Sequence, residues 1–105
     1  SGVGANIEFA RLPFMPGVVE LVRQGFVTGA SGRNWSGYGT DVRLSAQHGD
    51  VERNLLADPQ TSGGLLVACD PAAADQVLAI FAAEGFSEAM VIGEVIAGEA
   101  RIAVA

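Results

Sequence analysis

The sequence predicts an α+β domain of the sandwich type: one mixed, mainly antiparallel sheet with helices packed against it, in a partly ferredoxin-like arrangement. Three observations carry this. A strand-like stretch is followed by a helix-like one twice, at residues 5–12 then 16–25, and again at 64–68 then 72–84. Two further strand-like stretches follow at 89–96 and 100–104. The 105 residues, half of them hydrophobic, are enough for a single core without staples.

Residues 5–12 alternate imperfectly around Ile7 and Phe9 and read as a strand that stops at Leu12-Pro13. Glu8 and Arg11 then tend toward opposite faces. Pro16 suits the first turn of a helix; Val18, Val19, Leu21, Val22 and Phe26 follow at helical spacing, and Gly25 is placed to cap it. Residues 28–40, TGASGRNWSGYGT, carry four glycines and read as a long polar loop without regular structure. Residues 41–47 alternate Val42, Leu44 and Ala46 with Arg43, Ser45 and Gln47, as a half-buried edge strand does. His48 has no second His or Cys at ligand spacing and reads as a surface turn residue. Residues 51–56 fit either one helical turn or an irregular lead-in. Residues 64–68 are apolar throughout and read as a central strand buried on both faces, with Cys69 behind it as a small core hydrophobe. Asp70-Pro71 is a helix start, Val77, Leu78, Ile80 and Phe81 are the buried stripe of the alanine-rich helix, and Gly85 stops it. The last two strands are expected to form a hairpin across Ala97-Gly98-Glu99.

Chemistry is expected within residues 55–68, LLADPQTSGGLLVA, where apolar runs flank a polar turn. Asp58, Gln60, Thr61 and Ser62 each offer an oxygen to a backbone amide, a metal ion or a phosphate. Pro59 biases Asp58 away from helix, and Gly63 and Gly64 permit positive φ and close approach to the backbone. The same oxygens equally suit a loop that caps itself. In the glycine-rich stretch Arg33, beside Asn34, is the best anion-binding candidate, because a guanidinium can hold two phosphate oxygens while glycine amides close around them. The alternative pairs Arg33 with a carboxylate and has Trp35 and Tyr38 anchor the loop to the core.

Composition narrows the field. A net charge of −6, from six arginines, no lysine and twelve acids, argues against nucleic acid as a partner. Without lysine, charged contact with phosphate falls to arginine, a metal or backbone amides. The single Cys69 excludes an intramolecular disulfide framework. No apolar run approaches the ~20 residues of a membrane span, and SGVGANIEF lacks the basic start of a secretory signal. A soluble, cytoplasmic protein is expected.

DPQTSGGLLVA resembles the signature of the C-terminal domain of the selenophosphate synthetase (selenide, water dikinase) family. ANIEFARLPFMPGVVELVRQGFVTGASGRNWSGYG resembles the same family's upstream strand, helix and glycine-rich loop, and AMVIGEV follows in the family's order. The resemblance implies the C-terminal domain fold of aminoimidazole ribonucleotide synthetase-like enzymes. It also implies an activity: selenophosphate made from ATP, selenide and water, with AMP and orthophosphate released and magnesium required. Residues 1–105 would then be one C-terminal domain. The partner would be the family's N-terminal domain, which dimerises and carries most of the nucleotide site. The family's reactive cysteine or selenocysteine with its lysine, and its magnesium-binding aspartates, lie upstream and have no counterpart here. No catalytic residue, resident metal or tightly held cofactor is therefore expected in this chain, and the isolated domain is expected to be inactive. Arg33, Asn34, Asp58, Gln60, Thr61, Ser62, Gly63 and Gly64 are the candidates to face the nucleotide across the interdomain cleft. A reading from another class stands beside this one: a free-standing α+β module that binds a small ligand or a protein, without catalysis.

Overall fold

The computed structural model describes residues 2–105. Its centre is a four-stranded sheet built on β1 (Val3–Ile7), with β2 (Val42–Leu44), β3 (Gly93–Ala97) and β4 (Ile102–Val104) in the order β2-β4-β1-β3. β3 runs antiparallel to β1, with Val3 opposite Ala97 and Ile7 opposite Gly93. β4 runs parallel to β1 and β2 runs parallel to β4. The sheet is mixed, as the sequence predicts, but its balance is reversed, since two of the three ladders are parallel. β2 lies at an edge, as its alternation requires.

The expected hairpin between the last two strands does not form, because β1 lies between them. Residues 98–101 carry the chain from β3 around the start of β1 to β4, where the Ala5 N–H donates to the Arg101 carbonyl at 3.0 Å. Gly4 makes this passage possible. A Cβ there would stand 2.7 Å from the Glu99 carbonyl oxygen and 2.9 Å from that of Arg101.

The helices are α1 (Val18–Arg23), α2 (Gly29–Tyr38), α3 (Asp50–Leu56) and α4 (Ala74–Ala83), with α1 and α2 each packed against α3. α1 and α4 end as their glycines predict. Gly25 and Gly85 take φ of +90° and +92°, and Phe26 and Phe86 donate back to the carbonyls of Leu21 and Phe81 at 3.0 and 2.9 Å. The Phe86 ring then meets the Phe81 ring edge-on at 6.4 Å, the apolar contact this cap favours. The Asp70 carboxylate accepts from the Ala72 N–H at 2.8 Å, with Pro71 opening a 3-10 turn that leads into α4. Pro16 precedes α1 rather than lying inside it, because Gly17 takes φ +83° immediately before the first helical residue.

Several expectations are overturned. The first strand ends at Ile7, and Phe9–Arg11 is a 3-10 turn. Three-residue periodicity brings Glu8 and Arg11 together, 2.9 Å apart, instead of setting them on opposite faces. The stretch expected as a glycine-rich loop is α2, and the undecided residues before the DPQTSGG motif form α3. Most consequential is 64–68, which joins no strand. Leu65 and Leu66 are 81% and 80% exposed and Cys69 is exposed with them. A run that is apolar on both faces requires cover on both faces, and the described residues provide none. The α4 stripe is also only half covered: Val77, Leu78 and Phe81 are half-buried, while Ile80 is exposed.

Among the described residues the buried side chains are Leu55 on α3, Val104 on β4 and Ser31 on α2, of which Ser31 is fully buried. His48 is drawn inward, against expectation. Its ring lies 5.1 Å from that of Phe9, and its buried Nε2 has no hydrogen-bond partner. No helix among the described residues is long and apolar enough to cross a membrane.

Candidate functional site

α2 and α3 pack against each other, and the DPQTSGG motif leaves from the end of α3. α2 forms despite three glycines because its polar face is fastened to α3. Asn34 Nδ2 donates to the Ala57 carbonyl at 2.8 Å. Ala57 is the residue that ends α3, and its carbonyl belongs to the last turn, where helices leave acceptors unsatisfied. One residue further along α2, the half-buried Trp35 lies beneath the Arg53 guanidinium, 5.9 Å from ring centroid to carbon, and Arg53 is paired with Asp50 at 2.9 Å. Gly39 lets the indole lie flat on the backbone, since a Cβ there would stand 2.8 Å from the ring. The start of α3 is held separately. The Glu52 carboxylate accepts from the Gly49 N–H at 2.8 Å, and this bond, followed by that to its own N–H, holds its pKa below the usual glutamate value.

The motif itself is exposed throughout. Gly63 N–H donates to the Gln60 carbonyl at 3.2 Å, closing a tight turn. The left-handed residue in that turn is Ser62, with φ +60°, and not either glycine. Gly63 serves by close approach, its missing Cβ leaving 3.0 Å to Gln60 Cβ, whereas Gly64 faces open space. Among the described residues the side chains of Asp58, Gln60, Thr61 and Ser62 take part in no hydrogen bond, so the loop is shaped by backbone and not by self-capping.

The expected site residues are therefore brought together in part. Asn34 meets the root of the motif, one residue before Asp58. Arg33 is exposed on the neighbouring position of α2, and its guanidinium folds back toward the first turn, Nη1 lying 3.3 Å from where a Cβ on Gly29 would project. Among the described residues no carboxylate pairs with Arg33, and Tyr38 is 71% exposed rather than an anchor. The Trp35–Arg53 contact escaped sequence reasoning, because nothing local in either segment signals the other.

The family described as AIR synthase related protein, C-terminal domain, matches residues 1–104. The chain belongs to this family. As an AIR synthase related C-terminal domain it is similar to proteins named selenide, water dikinase. The one from Paraburkholderia xenovorans is 54% identical over 104 residues, which cover 99% of this chain and 29% of that protein. The one from Burkholderia orbicola is 57% identical over 96% of the chain and 28% of its own length. The one from Rhizobium meliloti is 45% identical over 99% and 30%. The AIR synthase related domain thus spans under a third of the length of these relatives.

The site's donors fit some of the ligands the resemblance implies and not others. A guanidinium without a carboxylate partner, free hydroxyls at Thr61 and Ser62 and the backbone of a tight turn suit phosphate oxygens. Magnesium is commonly held by one or two carboxylates with waters and substrate phosphates, and among the described residues no three His, Cys, Asp or Glu side chains stand together as a protein cage for a cation.

Proposed function

We propose that this AIR synthase related domain is the C-terminal part of a selenide, water dikinase, an enzyme that makes selenophosphate from ATP, selenide and water and releases AMP and orthophosphate. The observation that carries the reading is 54% identity, over 99% of the chain, to a protein of that name. In this reading the nucleotide, its magnesium and the reactive residue belong to an N-terminal domain, the whole enzyme is a cytoplasmic homodimer, and residues 58–64 with Arg33 close over the phosphates from the opposite side.

The chemistry of that role follows from what the loop offers. Phosphoryl transfer depends on placing the transferring group and neutralising its charge, and little covalent work falls to the protein. Arg33 supplies positive charge near the start of α2, where Thr28 gives no side-chain cap and, although the Ser31 N–H donates to the Thr28 carbonyl at 3.1 Å, the N–H groups of Gly29 and Ala30 remain for an anion. Thr61 and Ser62 supply hydroxyls that donate to phosphate oxygens. In this reading magnesium is left to the N-terminal domain; among the described residues no three His, Cys, Asp or Glu side chains gather.

The surface of the domain supports a partner. Its accessible area is 7627 Å², whereas a compact monomer of its mass exposes about 5,500 Å². The excess, about 2,100 Å², is larger than the ~800 Å² that a standard interface takes from one partner, and Leu65, Leu66, Ile80 and Phe86 contribute to it.

The test is AMP release from ATP by the full-length protein. It is expected to depend on selenide and magnesium, and the 105-residue chain alone is expected to release none. Arg33→Ala or Thr61→Ala in the full-length protein should lower turnover at least tenfold while leaving thermal unfolding within a few degrees. Selenide-independent AMP release by the full-length protein would sink the reading. Full activity in both variants would remove Arg33 and Thr61 from the site.

A further inference from the structure

We propose that Asn34 is a positioning residue, and not a ligand contact: its amide fixes the point from which the Asp58–Gly64 loop departs and so ties that loop to the helix carrying Arg33. The proposal deepens the dikinase reading and rests on it for what the loop does. Its structural half stands without it.

Six hydrogen bonds made by side chains are found among the described residues, and five of them span four residues or fewer. The sixth is Asn34 to Ala57, separated by twenty-three residues. Among the described residues it is the one place where a side chain joins two distant elements through a hydrogen bond, and it does so at the root of the loop. The carbonyl it holds would otherwise be an unfilled acceptor at the end of α3. Asn34 thus caps a helix that is not its own.

The bond governs direction because its surroundings are stiff. Behind it, Trp35 is wedged between Gly39 and the Arg53 guanidinium, so α2 can neither roll nor slide without breaking that contact. The Ala57 N–H donates to the Arg53 carbonyl at 3.0 Å, so the residue that Asn34 grips is also held by the turn below. Ahead of it comes Asp58-Pro59, where the proline ring limits the backbone of both residues. A displacement at Ala57 is therefore carried into Gln60–Gly63 and not absorbed on the way. One of the two Nδ2 hydrogens is spent on Ala57, which turns the amide toward the end of α3, and its Oδ1, an acceptor, repels phosphate oxygens.

The test uses the full-length protein and reads structure and activity separately. Hydrogen–deuterium exchange of the peptide covering residues 50–64 should quicken severalfold in Asn34→Ala, while peptides of the sheet stay unchanged. In the same variant kcat should fall about tenfold with KM for ATP within twofold, since a misdirected loop loses orientation in the transition state and not ground-state binding. Asn34→Ala combined with Thr61→Ala should be little slower than Thr61→Ala alone, because Asn34 acts through the loop. If Asn34→Ala does not fold, Asn34→Asp, of the same shape but without the donor, is read in the same way. Unchanged exchange at 50–64 overturns the proposal whatever the kinetics. A tenfold rise in KM with kcat intact overturns it too, making Asn34 a ligand contact. Faster exchange in a protein with no selenide-dependent activity leaves the brace standing and removes the dikinase reading.

Discussion

Single residues show how far local chemistry can be read. Asp70, Gly25 and Gly85 do what their neighbours in sequence demand, since a cap is completed within five residues. Asn34 and Trp35 could not be read that way, because their partners lie on another helix. Glu52 offers a test at this scale. Its carboxylate is held by the Gly49 N–H, which lowers its pKa from the ordinary value of 4.5. A lowered folded-state pKa means that the bond's contribution is complete above the unfolded value and is lost as pH falls through the lower one. A carboxyl carbon titration by NMR should therefore place the Glu52 midpoint below 4.5. Exchange of the first amides of α3 should rise in the same acid range, and Glu52→Gln should abolish that pH dependence.

At the level of elements, helices with strong ends were legible and those without were not. α2 has three glycines, no side-chain cap and mixed polarity, so propensity argues for a loop. Its contacts with α3 outweigh that argument, as tertiary packing commonly does for short helices. This makes an unusual prediction for a segment that looks like a flexible loop. Gly37 is helical and has open space around its Cβ position. Gly37→Ala should stabilise the protein by roughly 0.5–1 kcal/mol in chemical denaturation, the gain expected when a helical glycine gains a side chain without strain. Destabilisation instead would mean that this stretch is not a helix in solution. The failed hairpin belongs to the same level. The turn at Gly98 looks like any other in sequence, and only Gly4, nearly a hundred residues away, shows that the chain passes over β1 there.

The molecule as a whole was legible in class and not in arrangement. An α+β fold with a mixed sheet followed from the alternation of strand-like and helix-like segments, whereas strand order depends on pairings that no local pattern encodes. The run at 64–68 was misread for a related reason, since hydrophobicity announces burial without saying against what. Leu66 is 80% exposed. Leu66→Asp should therefore change the stability of the 105-residue chain by under about 0.5 kcal/mol. In the full-length protein it should lower the unfolding temperature by several degrees if a second domain covers the run. Equal, small shifts in both would mean that no second domain covers this run.

The place of β1 in the sheet also sets a clock. Its antiparallel partner lies about ninety residues later in the chain, and at ribosomal speed those residues take roughly 5 to 20 seconds to make. Throughout that interval β1 is without either neighbour, and for its last third the apolar run at 64–68 has also been made. In the cell, completing this domain is a matter of waiting for synthesis, and a chaperone that shields those leucines during the wait would raise the yield of folded protein.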